Sequence, residues 1–161
     1  MVSFIGNNSG KVDDKGRVVF PAVFKAAMSS AEAGPEGAAA DMRLVVRKDI
    51  YTDCLEIYTY SEWEKQAAAI RESLDIVFNR EHAAFWRKYM SGCAVVEPDS
   101  KLGRISIPKE LLEAIGVIKE VVFAGVGYKI ELWAKERREA GLISDQEYEK
   151  TAVDLSSSRK R

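Results

Sequence analysis

A nine-residue pattern that occurs twice constrains the fold of this chain more than any other feature. The first copy, at 13–21, reads DDKGRVVFP, and the second, at 100–108, reads SKLGRISIP. In both copies a Gly-Arg pair precedes three residues typical of a β-strand and then a proline, which suits the first turn of a helix because it has no N–H to leave unpaired. The chain is therefore expected to contain two similar halves, each organised around one such loop.

The residues after each motif also repeat their chemical character. An offset of 87 carries the apolar Met28 onto Ile115, and an offset of 75 carries the strand-like LEIY onto IELW. An insertion at 29–41, whose Gly-Pro-Glu-Gly and alanines indicate an exposed loop, accounts for the difference between the offsets. Half-domains of short strands cannot bury their own faces, so the two halves should interlock, and the exposed edges favour a homo-oligomer.

Composition restricts the partners of the protein. The 161 residues carry a formal net charge of −1 with a pI of about 6.0, which argues against a whole-surface polyanion binder but leaves room for local basic loops. No apolar run approaches the roughly 18 residues that span a bilayer, and residues 1–10 lack the basic and apolar regions of a leader. We therefore expect a cytoplasmic protein with no membrane partner.

Between the motifs, the pattern predicts short elements. A short strand should begin at 4–6, and residues 7–10 should loosen it. The turn at 13–16 is expected to form a hairpin or a bulged loop around Gly16. The other predicted elements are hairpins that join 42–46 to 54–58 and 121–123 to 130–133, helices that begin at or after Pro21, Ser61, Asn79, Pro108 and Ser144, a short helix at 135–139, and a disordered basic tail at 156–161.

The sequence contains no recognisable catalytic or metal-binding motif. Cys54 and Cys93 lack CxxC spacing and His82 is the only histidine, so a zinc or iron site cannot be assembled and no cofactor is expected. The sequence contains no nucleophile–base pair or phosphate loop, which predicts that the protein is not an enzyme. A helical face with Phe85 and Tyr89 four residues apart is more typical of a core or a subunit interface than of a base-stacking platform.

The first loop has the chemistry of a nucleic-acid contact. An arginine on a rigid hairpin tip can donate two hydrogen bonds to guanine or clamp a phosphate, and a nearby carboxylate can hold its guanidinium in position. Arg17 with Asp13 fits this arrangement, and Lys15 would add a phosphate contact that fixes register without reading sequence. A solvated turn with an internal Asp–Arg pair is the alternative that loop chemistry alone also allows.

Taken in order, several groups of residues resemble the MraZ family. They span nearly the whole chain and comprise FIG at 4–6, the two Gly-Arg loops, CL at 54–55, EWE at 62–64, SG at 91–92, GVG at 125–127 and IELW at 130–133. The resemblance implies an α+β, mainly β fold in which two tandem pseudo-repeats form a swapped-hairpin, AbrB-like β-barrel with short peripheral helices. The halves would span 1–72 and 93–140, with a connecting helix at 73–92 and a C-terminal helix and basic tail at 141–161.

The resemblance also implies a function. Members of the family are bacterial transcriptional regulators, so the expected partner is double-stranded DNA with short direct repeats, upstream of the division and cell wall gene cluster. The protein would act as a repressor at the nucleoid and would assemble with itself into a ring-shaped, octamer-like homo-oligomer. The alternative is a non-enzymatic interaction or scaffold module, in which edge strands and the aromatic helix build the assembly and the loops contact protein.

An Asp-x-x-x-Arg loop in each half is the DNA-binding signature that the resemblance implies. The expected site residues are Asp13, Lys15, Gly16 and Arg17 in the first loop and Asp99, Lys101, Gly103 and Arg104 in the second. The second loop departs from the signature, since Asp99 and Arg104 are separated by one residue more. Either the loop bulges and Asp99 still supports Arg104, or part of this site is lost. Gly10 also stands where family members often have histidine.

Because of the shifted spacing in the second loop, Arg17→Ala is expected to cost more DNA affinity than Arg104→Ala. Equal losses from the two single variants would show that the position of Asp99 in the sequence does not matter.

Overall fold

The computed structural model describes residues 2–31 and 39–159, which form a mixed α/β fold with an antiparallel sheet. Its strands are β1 (Phe4–Lys11), β2 (Arg17–Val19), β3 (Leu44–Lys48), β4 (Leu55–Thr59), β5 (Ala94–Val96), β6 (Arg104–Ser106), β7 (Glu120–Gly127) and β8 (Ile130–Ala134). Its α-helices are α1 (Ala22–Ala31), α2 (Tyr60–Glu72), α3 (Arg80–Ser91), α4 (Lys109–Ala114) and α5 (Asp145–Arg159), with 3₁₀ turns at Lys135–Arg137 and Glu139–Gly141.

Six strands form one sheet in the order β1-β7-β8-β4-β3-β5, and β2 and β6 form a separate two-stranded ribbon. The order is symmetric with respect to the repeat, since β5 to β8 take the places in the second half that β1 to β4 take in the first. The expected combination of helices and strands is confirmed, and the sheet is antiparallel. The expected barrel, however, is not closed in the described part of the chain, because β1 and β5 are edge strands that do not pair with each other.

Several of the strand ladders join one half of the chain to the other. β1 pairs along its whole length with β7, from Phe4 opposite Gly127 to Lys11 opposite Glu120. β2 pairs with β6, β4 with β8 and β3 with β5, whereas β3–β4 and β7–β8 are hairpins within one half. These short strands thus obtain backbone partners that their own half does not supply.

One hydrophobic core takes residues from both halves. The ring of Phe20 contacts those of Phe24 and Phe123, with centroids 6.2 and 6.1 Å away, and the second contact is edge-on. Met28 and Ile115, which the repeat relates to each other, are both fully buried in this cluster. Helix α1 and the C-cap of α4 therefore place equivalent apolar residues in one shared interior.

Three pairs of elements in the structure start at the offsets of the sequence repeat. An offset of 87 carries β2 onto β6 and the first residue of α1 onto that of α4, and an offset of 75 carries β4 onto β8. Both hairpins and the helices after Pro21 and Pro108 are also confirmed. The predicted cap at Asn79 is present, since its side chain accepts hydrogen bonds from the first turn of α3. Ser144 Oγ likewise accepts from Glu147 N at 3.1 Å, at the start of α5.

Two predictions about where elements begin or end are wrong. Residues 7–10 do not loosen the first strand, because pairing with β7 outweighs the poor strand propensity of asparagine and glycine. The helix α2 begins at Tyr60, one residue before the predicted start at Ser61, because Thr59 is the cap and its side chain accepts a hydrogen bond from Glu62 N at 3.1 Å.

The ends of the predicted loop and tail differ as well. The helix α1 continues to Ala31, so the predicted insertion begins later than expected, and its residues 32–38 lie outside the described residues. The tail is helical to Arg159 rather than disordered, and 160–161 again lie outside the described residues. No helix in the two described ranges is both long enough and apolar enough to cross a membrane.

The close approach of backbones at Gly125 provides a test of the pairing between β1 and β7. A Cβ atom at Gly125 would lie 2.6 Å from the backbone C and O of Phe4 and 2.7 Å from Ile5 N. Since these atoms belong to the ladder and cannot move away, Gly125→Ala is expected to destabilise the fold by about 1–3 kcal/mol in denaturant unfolding. Gly92→Ala is the control, because a Cβ there meets nothing closer than 3.4 Å. Equal unfolding midpoints for the two variants would contradict this close pairing.

Candidate nucleic-acid interface

The loop between β1 and β2 is closed by the side chain of Asp13. Its Oδ1 accepts hydrogen bonds from Lys15 N at 3.0 Å and Arg17 N at 2.9 Å, and its Oδ2 accepts from Arg17 Nε at 2.8 Å. Backbone bonds from Gly16 N to Asp13 O, at 3.0 Å, and from Asp13 N to Arg17 O, at 2.9 Å, complete the turn. One carboxylate therefore fixes both the turn and the orientation of the arginine.

The loop before β6 repeats this arrangement with one more residue. Asp99 Oδ1 accepts from Leu102 N at 2.8 Å and Gly103 N at 3.0 Å, and its Oδ2 accepts from Arg104 Nε at 2.8 Å. Asp99 N donates to Arg104 O at 2.9 Å, the same bond that closes the first loop. The additional residue is absorbed within the turn, so Asp99 supports Arg104, as in the first of the two alternatives raised by the sequence.

The β2–β6 ribbon brings the two loops into one surface. Val18 lies opposite Ile105, and both side chains are buried. Side chains alternate between the two faces of a strand, so the opposite, outer face carries the residues on either side of this pair, namely Arg17, Val19, Arg104 and Ser106. Arg104 is two residues from Ser106, the partner of Arg17, so the two arginines lie diagonally across the ribbon with Cα atoms about 7–8 Å apart.

Each loop is also hydrogen-bonded to the other half at one end of the ribbon. Phe20 N donates to Gly103 O, and Ile107 N donates to Gly16 O, both at 2.9 Å. The two glycines have φ angles of +80° at Gly16 and +70° at Gly103, and a Cβ at Gly16 would lie 2.6 Å from Ile107 O. The motif therefore requires glycine directly before arginine, for conformation in both loops and for space in the first.

The outer face offers cationic groups of two kinds. The Arg17 side chain is 34% exposed and that of Arg104 is 25% exposed, and each carboxylate pairs with the guanidinium through Nε. The terminal nitrogens, Nη1 and Nη2, are not used by these pairs. Lys15 and Lys101 are exposed on the same loops. The surface can thus present two oriented guanidinium groups and two flexible ammonium groups to an anionic ligand.

Both loop carboxylates are held in the ionised form. The backbone N–H of Arg17, and then its guanidinium, lower the pKa of Asp13 below its ordinary value. The backbone N–H of Leu102 and the guanidinium of Arg104 lower the pKa of Asp99 in the same way. A carboxylate that stays charged keeps its arginine in position across the physiological pH range.

A second charged cluster, away from the ribbon, was missed by the sequence reasoning. Lys129 Nζ donates to Glu56 at 2.8 Å, with both residues 7% exposed, and lies 3.6 and 3.7 Å from carboxylate oxygens of Asp49 and Glu131. Asp49, Cys54 and Glu131 place possible metal ligands within 4.8 Å of one another. The ammonium of Lys129 already pairs with these carboxylates, and burial raises the pKa of Cys54 to about 12, so the cluster is an ion-pair network of the fold.

The aromatic face of α3 is covered only in part. Tyr89 is buried, and Arg47 lies over its ring at 4.4 Å from the centroid. Phe85 and Met90, on either side of it, remain 42% and 39% exposed. The face therefore packs against the body of the protein at Tyr89 and is open beyond it.

Comparison with known proteins agrees with the repeated architecture. A family model described as "MraZ protein, putative antitoxin-like" matches residues 3–84 and 90–155, in two consecutive segments. The chain belongs to the MraZ family. A protein of Bacteroides thetaiotaomicron named transcriptional regulator MraZ is 35% identical over 161 residues, which cover 100% of this chain and 97% of that protein.

Other relatives of this MraZ-family chain carry the same name. A Bacteroides fragilis protein is 37% identical over 139 residues, covering 86% of this chain and 82% of its own length. A Thermoanaerobacter pseudethanolicus protein is 32% identical over 132 residues, covering 82% and 81%. The resemblance inferred from the sequence is confirmed, and membership of a family of transcriptional regulators agrees with the prediction that the protein is not an enzyme.

The role of Asp13 in this MraZ-family loop can be tested against its neighbour. Asp13→Ala removes the acceptor for two backbone N–H groups and for the guanidinium, so the amides of Lys15 and Arg17 should exchange with solvent roughly five- to tenfold faster. Asp14→Ala is the matched control, because exposed Asp14 takes no part in these bonds. Amide exchange followed by NMR makes the measurement, and equal rates in the two variants would contradict the role given to Asp13.

Proposed function

We propose that this MraZ-family protein is a DNA-binding transcriptional repressor that recognises short direct repeats upstream of the division and cell wall gene cluster. The names of its relatives support transcriptional regulation. The observation that carries the DNA contact is the β2–β6 ribbon, which aligns Arg17 and Arg104 on one outer face. The proposal implies a cytoplasmic protein associated with the nucleoid.

The shape of the ribbon fits the proposed ligand. The major groove of B-DNA is about 12 Å wide and admits a two-stranded β-ribbon, whose inner side chains here are anchored in the protein core. Arg17 and Arg104 would donate to guanine O6 and N7 or clamp phosphates, and the lysines would contact phosphates. The proposed DNA-binding residues are Asp13, Lys15, Gly16, Arg17, Asp99, Lys101, Gly103 and Arg104.

One ribbon on a protein with a net charge of −1 is expected to bind DNA weakly. An octamer-like ring of identical chains would present several ribbons, and each further contact would be intramolecular, raising affinity by roughly 10²–10⁴. Repeats in the DNA, spaced as the ribbons are, then become a geometric requirement.

The finer architecture belongs to the same proposal. The symmetric strand order supports a swapped-hairpin arrangement of halves at 1–72 and 93–140, with the segment 73–92, which contains α3, between them and 141–161 outside. In this arrangement both Gly-Arg motifs enter the ribbon together, which makes it the natural recognition element.

Loss of both arginines should abolish the proposed recognition. The Arg17→Ala/Arg104→Ala double variant is expected to bind repeat-containing DNA from the protein's own upstream region about 100-fold more weakly or worse, since each oriented arginine contributes about 1–3 kcal/mol. Fluorescence anisotropy at fixed salt measures the affinity. The Arg43→Ala variant serves as the control, because Arg43 pairs with Asp41 away from the ribbon. Unchanged affinity in the double variant would show that the ribbon does not contact the DNA.

The two single variants should lose similar affinity. The ranking suggested by the sequence, with Arg17→Ala the more costly, assumed that Asp99 is out of step with Arg104. Both pairs in fact have an Nε to Oδ2 distance of 2.8 Å, so the basis of that ranking is gone. Losses that differ by more than about tenfold in the same binding assay would show that the loops contact the DNA unequally.

The lysines should act differently from the arginines. Lys15→Ala and Lys101→Ala are each expected to weaken binding to repeat-containing and scrambled DNA alike. Each should also reduce the slope of log affinity against log salt by about 1, because each removes one ion pair with a phosphate. A salt titration on both DNAs makes the measurement. A change in preference between the two DNAs, with the slope unchanged, would show that the lysines contact bases rather than phosphates.

A further inference from the structure

The helix α5 carries no buried side chain. All of its residues from Asp145 to Arg159 are exposed, and its apolar members Tyr148, Val153 and Leu155 are 69%, 58% and 61% exposed. An isolated helix of about 15 residues is marginal in water, and most helical stability in proteins comes from packing an apolar face. Within the described residues, α5 therefore lacks the packing partner that such a helix needs.

One side of α5 has the spacing of a docking face. Tyr148, Ala152 and Leu155 are at i, i+4 and i+7 and form a short apolar stripe. Val153 lies off this stripe, on a different side of the helix. Asp145 and Glu149 each lie three residues before a member of the stripe, Tyr148 and Ala152, and therefore border it on one side. The helix as a whole contains four acidic and two basic side chains.

A groove beside α3 has the complementary character. It encloses about 650 Å³ and lies between α3, the end of β3 and α4. Its apolar lining includes Ile50, Phe85, Tyr89 and Leu111. Its charged lining has a basic excess, with Arg47, Lys48 and Lys88 against Asp49 and Glu81. The helix α3 as a whole carries three basic side chains and one acidic one, opposite in balance to α5.

We propose that α5 of one chain docks in the α3 groove of a second copy. The apolar stripe would cover Phe85 and its neighbours, and its acidic border would face the basic side chains of the groove. In a single chain α5 is exposed on all sides, so it does not occupy its own groove. Helix and groove are different surfaces, so the contact is heterologous and can repeat from copy to copy around a ring. The inference rests on the homo-oligomer of the proposed function.

The helix side of the contact is tested by two matched variants. Leu155→Asp places a charge in the stripe and should weaken self-association about tenfold or more, because it removes a buried leucine from the interface. Val153→Asp introduces the same charge at a similarly exposed position off the stripe and should keep the wild-type mass. Light scattering after size exclusion, over a range of protein concentrations, measures the mass. A wild-type mass for Leu155→Asp would overturn the proposal, as would equal dissociation of both variants.

The groove side is tested by mixing two full-length cysteine variants. Ala84→Cys lies in the groove and Ala152→Cys in the stripe, and both positions are exposed. Under oxidising conditions the mixture should give a disulfide-linked pair on non-reducing gels that neither variant gives alone at the same concentration. Failure of the mixture to form this product would overturn the proposal. So would an intramolecular bond in the Ala84→Cys/Ala152→Cys double variant as its only disulfide, since α5 would then occupy its own groove.

DNA binding separates this inference from the proposed function. If the mass and cross-linking results are as expected but the oligomer shows no preference for repeat-containing DNA, the docking holds and the regulatory proposal fails. If the Leu155→Asp variant keeps the wild-type oligomer mass while the arginine variants lose DNA binding, the regulatory proposal holds and the docking fails.

Discussion

Backbone hydrogen bonding between the two halves of the chain is the constraint on which the rest of the structure depends. β1 finds its partner in β7, β2 in β6 and β5 in β3, so neither half completes its ladders alone. Buried backbone groups must be paired, and the first two of these pairings satisfy that requirement across more than 80 residues of sequence. The shared core follows, because Phe20, directly after β2, and Phe123, in β7, meet in one interior.

The candidate interface is a direct product of that pairing. Each Gly-Arg loop, taken alone, is a turn with an internal ion pair of the kind that any soluble protein can carry. Pairing of β2 with β6 turns the two loops into one surface, since it buries Val18 against the core and sends Arg17 and Arg104 outward together. The carboxylates of Asp13 and Asp99 then fix the arginines, so that orientation comes from the loops and alignment comes from the ribbon.

The sequence predicted the parts of this arrangement better than their assembly. Gly16 and Pro21 have strong local signatures, and the repeat of period 87 located their counterparts. Strand pairing has no comparable signature, because which strand meets which is decided by packing over long separations. For that reason residues 7–10 were expected to loosen a strand that in fact continues through them, and Glu56 and Lys129 were not recognised as a pair. The spacing of Asp99 left its contact with Arg104 undecided for a local reason. The turn accommodates the extra residue, so the carboxylate reaches its arginine as Asp13 reaches Arg17.

Pairing between distant strands also has a consequence for biosynthesis. β1 leaves the ribosome more than 100 residues before β7, so the nascent chain carries an unpaired strand for most of its synthesis. Contacts of such long sequence separation form slowly, and exposed strand edges invite contact with other nascent chains. The strand β1 therefore reaches its final place among the last elements, and translation must be nearly complete before the ribbon can exist.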